Sequence, residues 1–149
     1  MTKQELLALL DDLLPQEPNP TMYLATYDGL FPRVRPMSLA RDGLRFYMGT
    51  GREDAKSVHI RTHPQVEFTV PLPRGVDTGY LRVAGTAVEI TGRAKHEAWT
   101  RGKGYDVTAY AAGGLDNPQI VVFRIEPASV RLNVPGTMGE EELPRAWFV

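Results

Sequence analysis

The apolar positions of this chain change period along its length, and each change marks an element. Leu6, Leu7, Leu9, Leu10, Leu13 and Leu14 recur at the three-to-four spacing of one helical face until Pro15 ends the run. Thr2 stands three residues before Glu5, the spacing at which hydroxyl and carboxylate cap each other's backbone N–H, so an amphipathic helix is predicted over residues 1–15. A Pro-rich connector, Pro15 to Pro20, follows. From there the segments shorten and become rich in β-branched and aromatic residues: Met22 to Tyr27, Phe31 to Leu39, Leu44 to Met48, Val66 to Val70, Tyr80 to Thr91, Ile120 to Ile125 and Ser129 to Val134. Pro32 and Pro36 lack a ladder N–H, which puts the second strand at a sheet edge or a bulge, and Asp42-Gly43 is a hairpin signal leading into the third.

Between these strands, Gly49-Thr50-Gly51 reads as a strand break and Arg52 to Thr62 as a short helix closed by His63-Pro64. Pro71 to Gly79 reads as a polar loop, Gly85 as a bulge or close packing, and Glu126-Pro127 as the separator of the last two strands. Residues 93–112 read as one helix or two, interrupted at Gly102 and Gly104. Seven short strands joined mostly by tight turns predict a mainly β fold, an antiparallel β-barrel with helical insertions, in preference to a doubly wound parallel sheet. At 149 residues this is one domain: the helix over 1–15, the barrel over 21–134, and a tail over 135–149 with no assigned structure.

Composition narrows the function. With 17 Lys+Arg against 18 Asp+Glu the formal net charge is −1, which weighs against nucleic acids and acidic membranes as partners. Zero cysteine excludes disulfides, thiolate metal sites, iron–sulfur clusters and a cysteine nucleophile. The first thirty residues show no basic leader before an apolar stretch, and no run approaches the roughly 18 apolar residues of a membrane span, so a cytoplasmic location is expected.

Candidate chemistry is densest between Arg33 and Ser57. Glycines let a ligand approach the backbone, Thr50 offers a hydroxyl, a helix start presents unpaired N–H groups, and Lys56 adds positive charge about one turn later, a combination suited to phosphate. Arg35 could reinforce it by a charge-assisted pair, although a surface ion pair explains an isolated arginine as well. Other readings are weaker. His59 and His63 stand four apart without a His-Glu-x-x-His pattern, and only His96 remains as a further imidazole, so no metal site is assigned. Gly49-x-Gly51 lacks the dinucleotide fingerprint, no P-loop ending is present, and neither Ser38 nor Ser57 lies in a nucleophile elbow. Trp99, Tyr105 and Tyr110 suit covering the barrel or an interface better than stacking on a ligand.

Arg35-Pro36-Met37-Ser38, then Phe46-Tyr47-Met48-Gly49-Thr50, then Lys56 and His63-Pro64-Gln65-Val66 resemble, in order and spacing, the pyridoxamine 5′-phosphate oxidase-like family of FMN-binding split barrels. Tyr80 to Ala87 resembles that family's long strand and Val121 to Pro127 its late one, so the resemblance spans residues 20–134. It implies an FMN cofactor at the interface of a homodimer. Arg35 and Lys56 would hold the phosphate with Thr50 and Ser57, the Pro36-Met37-Ser38 backbone would run along the flavin ring beside Met48 and Gly49, and Tyr80 would reach the cofactor from the partner subunit. Many relatives carry a basic residue before the lysine; here it is Ala55, so either Arg52 or His59 substitutes for it or phosphate affinity is lower. The C-terminal Arg-x-His element of the oxidases that make pyridoxal phosphate has no match in Leu143 to Val149, so the resemblance extends to fold and cofactor and not to that reaction. The short, general-stress-protein-like members are the nearest in kind, which implies an oxidoreductase with an unassigned redox substrate. A non-catalytic flavin-binding regulator and a haem or deazaflavin protein of the same fold are the alternatives. Flavin chemistry requires no protein nucleophile, and no catalytic residue is assigned.

Overall fold

Thr2 and Glu5 close the predicted capping box in the computed structural model, which describes residues 1–149. The Thr2 N–H donates to Glu5 Oε2 at 2.6 Å and the Glu5 N–H to Thr2 Oγ1 at 3.1 Å, starting helix α1 (Lys3–Leu13). Leu6, Leu9 and Leu10 are buried on its inner stripe, and Leu14 follows them into the same core.

Eight strands follow: β1 (Thr21–Tyr27), β2 (Pro32–Ser38), β3 (Ala40–Asp42), β4 (Arg45–Gly51), β5 (Gln65–Arg74), β6 (Asp77–Ile90), β7 (Ile120–Asn133) and β8 (Glu141–Glu142), with α2 (Ala55–Thr62) after β4 and α3 (Gly92–Arg101) after β6. All pairings are antiparallel, in the order β2-β1-β5-β6-β7-β4-β3, with β8 attached to β7. The sheet curls into a half-barrel. Its concave face carries Leu24, Phe46, Met48, Phe68, Leu81 and Phe123 into a single core that α1 and Phe148 help close. Outside, α3 lays Ala98 and Trp99 over Tyr47 and Val122, so β4 is buried on both faces and loses the alternating pattern of a half-exposed strand.

β2 takes the edge position its prolines require. The bulge and the close approach read from Gly85 coincide: the β6–β7 register shifts between Ala84 and Gly85, and a Cβ on Gly85 would stand 2.1 Å from the Glu126 carbonyl oxygen.

Several expectations are corrected. Residues 120–125 and 129–134 are one strand, because Pro127 falls opposite Gly85 and the two irregularities are absorbed at one point of the ladder. Residues 71–79 form a continuation of β5 and a hairpin at Gly75 (φ +62°); Pro71 and Pro73 are tolerated because β1 pairs with β5 only as far as Thr69, leaving one edge free. Gly49-Thr50-Gly51 does not break the strand after Met48 but forms its last three residues, paired with Ile120 to Val122. The Asp42-Gly43 turn joins β3 to β4, not β2 to β4; the chain turns a corner at Leu39, whose N–H donates to the Pro20 carbonyl at 2.8 Å. Helix α2 begins at Ala55, three residues later than predicted, and the 93–112 segment holds one α-helix followed by a single 3-10 turn at Val107–Ala109. The tail is structured: a 3-10 turn at Arg145–Phe148 stacks Phe148 on Phe46 at 6.1 Å between centroids.

Candidate functional site

β2 and β3 occupy opposite ends of the strand order, and the curl of the sheet brings β2 back towards β4. Between them lies a cavity of about 850 Å³, walled by the end of β2, the end of β4, the start of α2, the 16–19 connector and the 103–110 segment. Pro36, Met37, Ser38, Gly49, Thr50 and Lys56, all singled out from sequence, line it.

One corner concentrates its donors. Asp54, the residue before α2, does not cap its own helix with its side chain. Its Oδ2 instead accepts from Thr50 Oγ1 at 2.7 Å, Lys56 Nζ at 3.1 Å and the Gly51 N–H at 3.3 Å. The Thr50 bond, followed by the Lys56 bond, holds the Asp54 carboxyl below the usual carboxylate range, so it is ionised at neutral pH. Beneath this corner the fully buried Ser57 donates its hydroxyl to the Gly51 carbonyl at 2.7 Å, tying the first turn of α2 to the end of β4. A hydroxyl, an amide and an ammonium converging on one anionic oxygen form an oxyanion-binding corner.

The opposite wall was not read as ligand-facing in the sequence. Tyr105 and Tyr110 line the cavity with their rings edge to face at 5.7 Å, and burial pushes the Tyr105 phenol pKa up. Tyr105 donates to the Gly49 carbonyl at 3.2 Å, while Trp99 Nε1 donates to the Tyr105 carbonyl at 2.9 Å. Gly104 is required there: a Cβ would lie 2.0 Å from the Trp99 ring. Asn19 links connector to loop by donating to the Lys103 carbonyl at 2.9 Å and the Leu39 carbonyl at 3.3 Å. The signal in the sequence was the pair of glycines flanking Lys103, which mark a chain that packs closely, but that Gly104 packs on Trp99 is a tertiary fact.

Four sequence candidates lie off the cavity wall. Arg35 donates to Thr26 Oγ1 at 2.7 Å and the Leu24 carbonyl at 3.2 Å, and burial lowers its pKa. Met48 buries its side chain in the barrel core, Ser57 sits below the corner, and Tyr80 donates to Glu140 at 2.8 Å beside Arg82. The two residues considered as substitutes at position 55 are engaged elsewhere: Arg52 with Glu89 at 3.1 Å and the Pro118 carbonyl at 2.8 Å, His59 with Thr26 at 2.9 Å. His63 packs edge to face on Tyr27, and no cluster of three or more His, Asp or Glu side chains is placed to hold a metal ion.

A half-barrel of antiparallel strands with an oxyanion corner at the joint defines the split-barrel class. Comparison with known proteins gives the family. The pyridoxamine 5′-phosphate oxidase family pattern matches residues 8–133, and the chain belongs to that family. General stress protein 26 of Bacillus subtilis (strain 168) is 30% identical over 113 residues, covering 73% of this chain and 76% of that protein. Among solved structures, a candidate pyridoxamine 5′-phosphate oxidase of Listeria innocua superimposes with a TM-score of 0.65 at 25% identity over 87% of this chain and 96% of its own. A haem-binding protein of Mycobacterium smegmatis superimposes at 0.79 with 14% identity over 99% of this chain and 60% of its own, a likeness of fold.

Proposed function

We propose that this protein binds FMN in the β2–β4 cavity and acts as an FMN-dependent oxidoreductase on a small redox substrate. The observation that carries the reading is the convergence of Thr50, Gly51 and Lys56 on one anionic oxygen at the edge of a cavity within the size range of cofactor sites. A phosphate oxygen makes the same demands as the carboxylate oxygen already there, so the donor set fits the cofactor's phosphate. Pro36 and Met37 offer an apolar wall, and Tyr105 and Tyr110 a second one, for a flat ring system.

Bound flavin supplies the electron and hydride chemistry; the protein orients it, sets its electrostatics and limits water access. Lys56 balances phosphate charge, Ser57 keeps Gly51 positioned, and Tyr105 presents a phenol that burial keeps protonated beside the Gly49 backbone. No histidine lines the cavity, which favours flavin over a histidine-ligated haem.

The reading includes a homodimer in the cytoplasm. Tyr23, Tyr27, Phe31 and Val34 are between 42% and 66% exposed on the outer face and turn of β1–β2, an apolar surface that abuts the cavity through Pro36. No helix is long and apolar enough to cross a membrane.

Protein purified without added cofactor is expected to show the two visible bands of oxidised flavin, with FMN as the extracted mass. A haem or deazaflavin spectrum, or a colourless protein that takes up no FMN, would overturn the assignment. Anaerobic reduction by NADH or NADPH tests turnover; bound flavin that neither donor reduces would favour a non-catalytic role.

A further inference from the structure

The oxyanion corner holds an anion of the chain's own. Asp54 Oδ2 accepts the hydrogen bonds of the Lys56 ammonium, the Thr50 hydroxyl and the Gly51 amide. Two further observations set its character. As the N-cap of α2 its side chain could bond the free N–H groups of its own helix, yet it makes no such bond and reaches back to the β4 end instead. And it stands at the open side of the corner: the Asp54 side chain is 52% exposed while Lys56 is only 18% exposed, so solvent reaches the carboxylate more readily than the lysine.

We infer that Asp54 is an internal stand-in for phosphate, holding the donors of the corner in place when no ligand is bound and competing with a ligand's phosphate for them. This rests on the flavin-phosphate reading of the same site and adds the residue that sets its affinity. A phosphate and an ionised carboxylate cannot share the three donors without like-charge repulsion, and the bonds from Thr50 and Lys56 that stabilise the carboxylate are the ones the phosphate needs. Binding therefore includes an exchange of one anion for another, and affinity reports the difference between them.

The experiment compares the full-length protein with Asp54→Asn, freed of bound flavin, by titration with FMN and with riboflavin, and by thermal unfolding with and without inorganic phosphate. Asp54 makes no side-chain bond to its own helix and asparagine is an equally favourable residue at that position, so the substitution removes the charge without weakening the helix start. The expected result is about tenfold or greater tightening of FMN in Asp54→Asn with riboflavin unchanged. FMN affinity that is unchanged or weaker would overturn the inference while leaving the flavin reading intact. If neither protein binds flavin, the flavin reading falls and phosphate decides the role of Asp54 by itself. A larger phosphate-induced rise in unfolding temperature for Asp54→Asn than for the parent supports it, and an equal rise, or none in either, overturns it.

Discussion

At the scale of single residues, the corner around Asp54 shows how few side chains set the chemistry. Thr50 and Lys56 lie six positions apart in sequence and are brought to one oxygen because β4 runs on to Gly51 and α2 starts only at Ala55. Lys56→Ala is expected to weaken FMN binding by about 1–3 kcal/mol, the range for losing a hydrogen bond to a charged group, measured by fluorescence titration of the flavin-free protein. The pH dependence follows from the direction of the Asp54 shift. Its folded-state pKa is depressed, so the ionised carboxylate favours the folded state; that contribution is complete above the unfolded value of about 4 and is lost as pH falls through the lower folded value. Thermal unfolding at a series of pH values should show the parent's advantage over Asp54→Asn without ligand shrinking below about pH 4, and an advantage constant down to pH 3 would contradict it. Thr50, Lys56 and the glycines were legible as a phosphate-suited set from residue type and spacing. Asp54 was not, because the helix predicted over Arg52 to Thr62 places it inside the first turn, where an acidic residue is ordinary, and only the later start at Ala55 puts it at the β4–α2 junction.

At the scale of elements, the long pair β6–β7 carries the barrel, and its critical point is the meeting of Gly85 with Pro127. Two strands of 14 residues pair along most of their length with one register shift, where the missing Cβ of Gly85 lets the Glu126 carbonyl approach and Pro127, which has no N–H for the ladder, stands opposite. Gly85→Ala is expected to destabilise the fold by about 1–3 kcal/mol, because the obstructing atom is backbone and cannot rotate away; urea denaturation measures it. Gly85 was recognisable as an irregularity. That it faces Pro127, and so fuses two predicted strands into one, depends on a pairing between residues some forty positions apart. Helix α1 stands at the other extreme, since its cap and its leucine stripe are encoded within fourteen residues and the structure repeats them.

At the scale of the whole molecule, the exposed apolar face of β1–β2 is the feature a lone chain leaves unexplained. Val34 on the edge strand β2, Tyr23 and Tyr27 on the neighbouring β1 and Phe31 in the turn between them form an exposed apolar face, and β2 has no strand beyond it. Light scattering is expected to give about twice the 16.6 kDa chain mass for the parent, and Val34→Lys is expected to shift the population to monomer; a parent that stays monomeric at micromolar concentration would count against a shared site. The sequence by itself determined the elements whose information is local: the capped leucine helix, the proline-bearing edge strand, the bulge at Gly85, and a glycine, threonine and lysine set suited to phosphate. Hydrophobic period, caps and turn residues act over a few positions, so they can be read in one pass along the chain. Only the tertiary structure decided that Tyr105 and Tyr110 form a cavity wall, that Arg35 turns to Thr26, that the tail closes the core through Phe148, and that the corner is held by Asp54. Those facts come from curling one sheet until its distant strands meet, and the contacts made there join residues whose separation along the chain carries no periodic signal.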